Sequence, residues 1–372
     1  MKKYFVMAAL AVSTLTASAQ SVVPKWINNV KLSGFGIVQY TYNGQENNES
    51  NSFNLRLARL ALDGRAFDDW YWKAQIQFNG NTSTLGSSPK LVDLFIEWQK
   101  YDFLRVKAGQ FKNPFTYENP MHPIDQGFMS YSQVISKFAG FSDRAGAHSS
   151  NGRDIGVQLQ GDFLKNASGR NLIHYQVGVF NGQGINVKDV DQQKNIIGGA
   201  WVMPVEGMRL GAFGWIGSYA RKGTSASEGI TNTTLRRLQQ RRYAFSAEYK
   251  VDDWTFRSEY VHSTGYAFAK AMVNTNDASA KDITLSSNGD KSQGVYALVI
   301  APIIKKKCHA KARYDMYQPS KGAEKQRTQY EIGLDYYFNK NICLTGEYAY
   351  IHDRALADPN YSMIDVELSS RF

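Results

Sequence analysis

The chain has 372 residues, of which 43% are hydrophobic, 20% charged and 13% aromatic, and its formal net charge is +10. This composition excludes a disordered chain and a small disulfide-stapled scaffold, because hydrophobic residues are abundant and there are only 2 cysteines. Mean hydropathy is −0.42, and beyond the first residues no run of about 18 apolar residues could cross a bilayer as a helix. A soluble β-rich protein and a β-barrel with alternating lipid-facing residues both remain open.

The start of the chain has the three parts of a secretory signal peptide. Two lysines form a positive start, Tyr4 to Leu15 is apolar, and Ala17-Ser18-Ala19 matches a cleavage site. An uncleaved membrane anchor is the alternative, although the apolar stretch is short for a span. We predict that residues 1–19 are removed on export and that residues 20–30 form a short periplasmic segment ahead of a barrel.

Short segments with a period of two recur along the chain. From Tyr71 to Asn79, polar residues occupy the odd positions and apolar residues the even ones, which is typical of a strand with one polar and one apolar face. The same period recurs in Val92 to Gln99, Leu104 to Ala108, Ile155 to Phe163, Ile173 to Asn181, Tyr243 to Val251, Cys308 to Tyr317, Thr328 to Phe338 and Ile364 to Phe372. These patterns predict an all-β fold.

Three segments are less regular. The faces of Ile196 to Met203 and of Met208 to Tyr219 cannot be told apart, because both segments are rich in glycine and apolar residues. Phe53 to Arg65 changes phase midway, which indicates a β-bulge or a shorter strand.

The connections between these segments alternate between short and long. The short ones are 67–69, 100–102, 164–170, 204–207, 252–253, 304–305 and 339–340; the long ones are 43–51, 80–90, 113–152, 182–194, 221–240, 264–291, 319–325 and 353–360. Eight long and seven short connections join sixteen strands. Tryptophan, tyrosine and phenylalanine cluster beside the short turns, as in an interfacial aromatic girdle. The pattern predicts a 16-stranded antiparallel transmembrane β-barrel with short periplasmic turns and long extracellular loops. Aromatic residues filling a soluble core are the alternative.

Three segments together resemble a known family. Gly109 to Asn119 reads GQFKNPFTYEN, Arg153 to Gln158 reads RDIGVQ, and Tyr175 to Gly182 reads YQVGVFNG. They resemble the phosphate-selective porin O and P family, over about Lys31 to Phe372. The resemblance implies an outer-membrane barrel, usually trimeric, that conducts anions and folds a long third loop inward. Leu368 to Phe372 looks like the terminal aromatic signal that the barrel assembly machinery reads.

The third long connection, residues 113–152, is the predicted constriction loop, because a loop of this length in a compact protein is usually functional. Basic side chains at a constriction replace part of the hydration that a passing anion loses. The candidate pore-lining or anion-binding residues are Arg59, Lys73, Arg105, Lys107, Lys112, Lys137, Arg144 and Arg242, and alternation also places Arg257, Lys311 and Arg313 on the inner face. They predict passive diffusion of small anions, with phosphate-type oxyanions as the narrower hypothesis.

Acidic residues share the same inward phases, so charged residues inside the barrel could also simply neutralise one another. Basic residues predominate on the inward phases of the early strands and acidic residues on those of the late strands, which allows a lumen with one basic and one acidic side. A general diffusion porin without anion preference and a plugged structural or adhesive barrel are therefore kept as alternatives. The arginine run from Arg236 to Arg242 could form a pore funnel or a rim that faces lipopolysaccharide.

Catalysis is not expected, because the sequence lacks the common hydrolase, metalloprotease and nucleotide-binding motifs. His148-Ser149-Ser150 is the closest His/Ser pairing, and Cys308 and Cys343 are expected to be unpaired. The expected partners are small inorganic anions, outer-membrane lipid and lipopolysaccharide, the barrel assembly machinery through Phe372, and copies of this chain in a homotrimer. No cofactor, metal or nucleic acid is expected.

Overall fold

Sixteen antiparallel strands form one closed barrel in the computed structural model, which describes residue 24 and residues 26–79, 89–146, 151–269, 279–280 and 283–372. The predicted signal peptide and the His148-Ser149-Ser150 pairing lie outside these residues. The strands are β1 Ile27–Asn43, β2 Ser50–Ala66, β3 Trp70–Gln77, β4 Lys90–Tyr101, β5 Leu104–Lys112, β6 Arg153–Lys165, β7 Asn171–Phe180, β8 Asn195–Val202, β9 Met208–Ser225, β10 Ile230–Val251, β11 Trp254–Thr264, β12 Lys291–Ile304, β13 Cys308–Gln318, β14 Arg327–Asn339, β15 Ile342–Asp353 and β16 Asn360–Arg371.

The first and last strands close the barrel. β1 pairs with β2 on one side and with β16 on the other, in a register that runs from Phe35 opposite Arg371 to Asn43 opposite Met363. A two-residue segment, Ser279–Ala280, pairs in parallel with β9 beyond the ring of sixteen strands. The predicted strand number and all-β class are thus confirmed, although β1 starts before the boundary predicted at residue 31.

Helices are few in the described part of the chain. Helix α1, Gln133–Phe138, lies in the third long connection, and a 3₁₀ turn spans Ala226–Glu228. Neither has the length or apolar character that a membrane-crossing helix needs, nor does any other described segment.

The period of two separates an outward apolar face from an inward polar face. On β14, Ile332 and Leu334 are 60% and 55% exposed, whereas Glu331 and Asp335, which flank this pair in the sequence, are 5% and 6% exposed. A chain with this pattern hides its polar groups inside the closed sheet and presents apolar groups outside. The barrel thereby carries most of its charge on the inner wall.

Two β-bulges shift this phase. On β2, Leu57 pairs with Ile37 and Leu55 pairs with Val38, so that Arg56 between them has no partner across the strand. The bulge predicted within Phe53 to Arg65 is therefore present, and it turns Arg56 toward the inner wall. A similar shift at Val92 on β4 leaves this residue buried, whereas the alternation placed it on the outward face.

The glycine-rich wall of β8 and β9 is apolar on both faces, which is why its sequence shows no clear period. Ile216 is 60% exposed outside, while Phe213 and Trp215 are buried inside. A Cβ atom on Gly211 would come within 2.6 Å of the Tyr117 hydroxyl, so small residues here leave room for the third loop.

The connection predicted over 221–240 is wrong. β9 and β10 continue as a hydrogen-bonded hairpin through this segment, with Thr234 opposite Gly223 and a turn only at Ala226–Gly229. In this hairpin β10 is mostly exposed, whereas residues 217–221 of β9 are all buried, so neither strand alternates as a barrel strand does. The arginines and threonines of the hairpin therefore gave no alternation to detect.

Candidate functional site in the barrel interior

The third loop, described over residues 113–146 and 151–152, folds into the inside of the barrel. Its ends meet where the Asn113 amide donates to the Gly152 carbonyl at 2.8 Å. Its tip reaches the end with the short turns, where Arg371 donates to both carboxylate oxygens of Asp125 at 2.7 and 3.0 Å. The loop thus passes along most of the barrel height.

One side of the loop is fastened to the wall formed by β11 to β15, called here the anchoring wall. The amide of Met129 donates to Glu347 at 3.0 Å, and the amide of Gln133 donates to Asp315 at 2.7 Å. The amides of Tyr117 and Glu118 both donate to Glu259, at 2.6 and 2.9 Å. Inward carboxylates of the late strands therefore accept hydrogen bonds from the loop backbone.

Cations of the anchoring wall hold the carbonyl groups of the same loop segment. Arg257 donates to the Gln126 carbonyl, Lys311 to the Gly127 carbonyl and Arg313 to the Ser130 carbonyl, at 2.8, 2.8 and 3.0 Å. The same three cations form ion pairs with Glu248 of β10 and with three acidic residues of the wall, Asp335, Glu347 and Glu331. Alternation placed these cations inward correctly, but their donors are used by the loop and by carboxylates.

The loop also packs into an aromatic core against the inner faces of β9 and β13. Phe115 contacts Trp215 edge to face with ring centroids 5.6 Å apart, and Phe138 contacts Tyr317 in the same way at 5.7 Å. Aromatic contacts of this kind add to the free energy of burial. The third loop is therefore a packed part of the barrel interior.

The opposite side of the loop faces an open cavity of about 310 Å³ along β2 to β7, called here the basic cavity. Five cations line it: Arg59, Lys73, Lys107, Lys112 and Arg153. Asp93 is the lining carboxylate, and Glu97, on the same inward face of β4, lies 3.4 Å from Lys107. Positive groups thus outnumber negative ones around this water space. His122, also on its surface, has its pKa lowered to about 4 by burial and adds no charge at neutral pH.

All five cations of the basic cavity have polar partners; Lys73 lies 4.0 Å from Asp93 and Lys107 lies 3.4 Å from Glu97, and the other three cations make closer contacts. Arg153 holds Asp93 with a two-point contact of 2.6 and 3.2 Å. The Lys112 ammonium donates to the carbonyls of Asn119 and Met121, at 2.6 and 2.8 Å, and fixes the start of the loop. Arg59 donates from Nε to Gln77 at 2.9 Å.

The remaining predicted residues lie elsewhere. Arg105 pairs with Asp162 at 2.5 Å. Lys137 and Arg144 line a separate pocket of about 230 Å³ beside Tyr317 and the long loops, and burial lowers the pKa of both. Arg242 is 5% exposed and donates to Asp143 and to the Phe138 carbonyl. That these four residues bind an anion stays a prediction.

Sequence reasoning missed Arg153 and Arg56. Arg153 is the first residue of β6, and the alternation had been followed only from Ile155 onward. Arg56 sits at the bulge and pairs with Glu367 at 2.7 Å. Locating the predicted bulge at one residue would have revealed its inward direction.

A second cavity, of about 220 Å³, lies between the loop tip and the late strands and has the opposite charge. Asp125, Asp253, Asp335 and Glu367 line it, against Lys311 and His309. The lumen is therefore laterally divided, as the sequence allowed. Both cysteines are free, and the described residues contain no group of three or more metal-ligating side chains.

Comparisons with known proteins find a matching family model and similar barrels. Residues 33–191 match the family model "Phosphate-selective porin O and P". This stretch, a little under half of the chain, is similar to that family. No curated protein sequence matches the porin. Solved structures share its fold: the loop L8 deletion mutant of OmpT from Vibrio cholerae has TM-score 0.61 and 12% identity, with coverage of 92% of this chain and 99% of that chain.

Two further barrels are similar at low identity. An anion-selective porin from Comamonas acidovorans has TM-score 0.61 and 14% identity, covering 92% of this porin and 99% of that chain. The outer membrane channel DcaP of Acinetobacter baumannii has TM-score 0.60 and 13% identity, covering 92% and 97%. These likenesses concern the fold, a closed sixteen-stranded barrel, and the family is one of outer-membrane channels.

Proposed function

We propose that this porin lets small anions diffuse passively along the basic cavity, between the third loop and the wall of β2 to β7. The observation that carries the proposal is the set of five cations on a cavity with one lining carboxylate. Low-dielectric walls focus the field of these cations across a narrow water path, which raises the local concentration of anions. The solved anion-selective porin from Comamonas acidovorans supports this choice by its similar fold.

The charges of the anchoring wall contribute little to this selectivity. Their hydrogen bonds go to the loop backbone and to one another, and Arg313 and Lys311 are both buried. Buried charge pairs of this kind nearly cancel at a distance. Lys73 and Lys107 also lie near carboxylates, 4.0 Å from Asp93 and 3.4 Å from Glu97, but their side chains are 29% and 17% exposed to the water space. A general diffusion porin is the second candidate, favoured by the acidic lining of the other cavity.

Removal of two exposed cations tests the proposal. The double variant Lys73→Gln/Lys107→Gln should shift the reversal potential in planar bilayers toward zero under a potassium chloride gradient. The control Lys165→Gln/Lys305→Gln removes the same charge from lysines in or beside the short turns, whose side chains are 56% and 64% exposed, and should leave the reversal potential unchanged. The difference in reversal potential between the wild type and the Lys73→Gln/Lys107→Gln variant should shrink near 1 M salt, where the screening length is about 3 Å. Equal shifts in both variants, or a wild-type reversal potential near zero, would favour the general diffusion porin.

The cellular setting is part of the proposal. The chain would be exported by removal of residues 1–19, inserted in the outer membrane through recognition of Phe372, and assembled as a homotrimer with its long loops outside. Phe372 is 69% exposed, as a recognition signal requires. The trimer form recorded for OmpT of Vibrio cholerae, a barrel of the same fold, supports the trimer. Lipopolysaccharide would contact the arginines of the β9–β10 hairpin.

A further inference from the structure

The basic cavity has two sides of different chemistry. The barrel side carries the cations together with Gln75, Gln158, Gln160 and Gln176, whereas the loop side consists of Pro114, Pro120, Met121 and Pro123 with His122. Burial makes His122 neutral at pH 7. A solute in this space therefore meets positive charge on one side and apolar surface on the other.

Aromatic rings stand between these two sides. The Lys107 ammonium lies 4.9 Å from the ring centre of Phe95 and 5.4 Å from that of Phe111, and the Arg59 guanidinium lies 5.8 Å from that of Phe35. All three rings line the cavity. An aromatic or aliphatic solute can pack on these rings while its charged end stays near the cations.

The available hydrogen-bond donors suit a single carboxylate better than a phosphate. The fork of Arg153 is occupied by Asp93, and the Lys112 ammonium is occupied by loop carbonyls. Among the described residues, the Nη atoms of Arg59 have no hydrogen-bond partner, and Lys73 is 4.0 Å from Asp93. One arginine fork matches the two oxygens of one carboxylate, whereas a phosphate needs more donors to replace its hydration.

We propose that the basic cavity prefers small organic monocarboxylates with an apolar or aromatic body over inorganic oxyanions. The carboxylate lies near Arg59 and Lys73, and the body lies against Phe95, Met121 and the loop prolines. The cavity volume of about 310 Å³ is at the lower end of the range for small-molecule pockets. This inference rests on the proposed function, because the solute must first enter an anion path.

Current block in planar bilayers tests the preference with three probes: benzoate, acetate and inorganic phosphate. Benzoate should reduce the chloride current with a half-blocking concentration about fivefold below that of acetate, the effect of one ordinary aromatic contact. Phosphate at the same concentrations should block less than benzoate. Equal half-blocking concentrations for benzoate and acetate would contradict the preference.

Substitution of the apolar side separates this inference from the proposed function. Met121→Gln should bring the benzoate block close to the acetate block. Met203→Gln, in the short turn between β8 and β9, is the matched control and should change neither. If chloride preference is present but phosphate blocks best, the carboxylate inference is wrong and anion conduction stands. If chloride preference is absent in the wild type, both are wrong.

Discussion

Arg242 and Asp143 form a buried two-point ion pair that fastens the third loop to strand β10. The guanidinium nitrogens lie 2.6 and 2.7 Å from the two carboxylate oxygens, and the side chains are 3% and 1% exposed. The guanidinium also lies 4.7 Å from the ring centre of Trp215. The end of the loop opposite its tip therefore has a fixed attachment.

Asp143→Asn should destabilise the protein by about 3–5 kcal/mol, because it leaves a buried arginine without its counter-charge. Loosening of this attachment should also raise the open-channel current noise. Asp252→Asn is the control, since it breaks the exposed pair with Lys305 at 2.6 Å and should cost about 1 kcal/mol or less. Urea unfolding in lipid vesicles measures both variants, and equal costs would contradict the anchoring role.

Gly109→Ala should disrupt the pairing of β4 with β5. Gly109 has φ +133°, and a Cβ atom there would lie 2.2 Å from the Leu94 carbonyl oxygen and 2.7 Å from the Phe95 Cα. Backbone must move to relieve this contact, so the variant should fold in lower yield or unfold at lower urea concentration. Gly346→Ala on β15 has nothing within 4 Å of the added atom and should remain close to wild type. Normal stability of the first variant would show that the β4–β5 register is wrong.

Ile332→Arg should cost about 2–4 kcal/mol if the residue lies near the bilayer midplane, because it places a charge on the lipid-facing surface. Ile332 is 60% exposed and lies in the middle of β14, next to the inward Glu331. Ile332→Leu conserves volume and polarity and should have little effect. The free energy of unfolding from vesicles is the readout. A tolerated arginine would mean that this face meets water.

The strand phases could be predicted because alternate residues of a barrel strand face the outside and the lumen, and their side chains are apolar and polar accordingly. Ile332 and Glu331 show this on β14, and even the bulge near Arg56 left a visible phase change. The β9–β10 hairpin was not predicted, because β10 is mostly exposed there and residues 217–221 of β9 are all buried, so neither strand alternates. The inner face of β9 was not predicted either, because it is aromatic where a polar face is expected: Trp215 packs on the third loop.

The use of each inward charge could not be predicted from alternation. Lys107 and Lys311 both follow an inward phase, yet Lys311 donates to the Gly127 carbonyl, 184 residues away in the chain, whereas Lys107 faces an open cavity. Only the path of the third loop decides between these roles, and that path depends on contacts between distant segments. The sequence therefore predicted a charged lumen and left open which charges a solute can reach.

Cysteine modification on neighbouring residues of β5 tests most directly whether the basic wall lines the conducting path. In a Cys308→Ser/Cys343→Ser background, Lys107→Cys and Val106→Cys place thiols on opposite faces of the same strand. A negatively charged, membrane-impermeant methanethiosulfonate should modify position 107 and lower the anion current, and it should leave position 106 unmodified in lipid. Modification at 106, or an unreactive or functionally silent thiol at 107, would contradict the account.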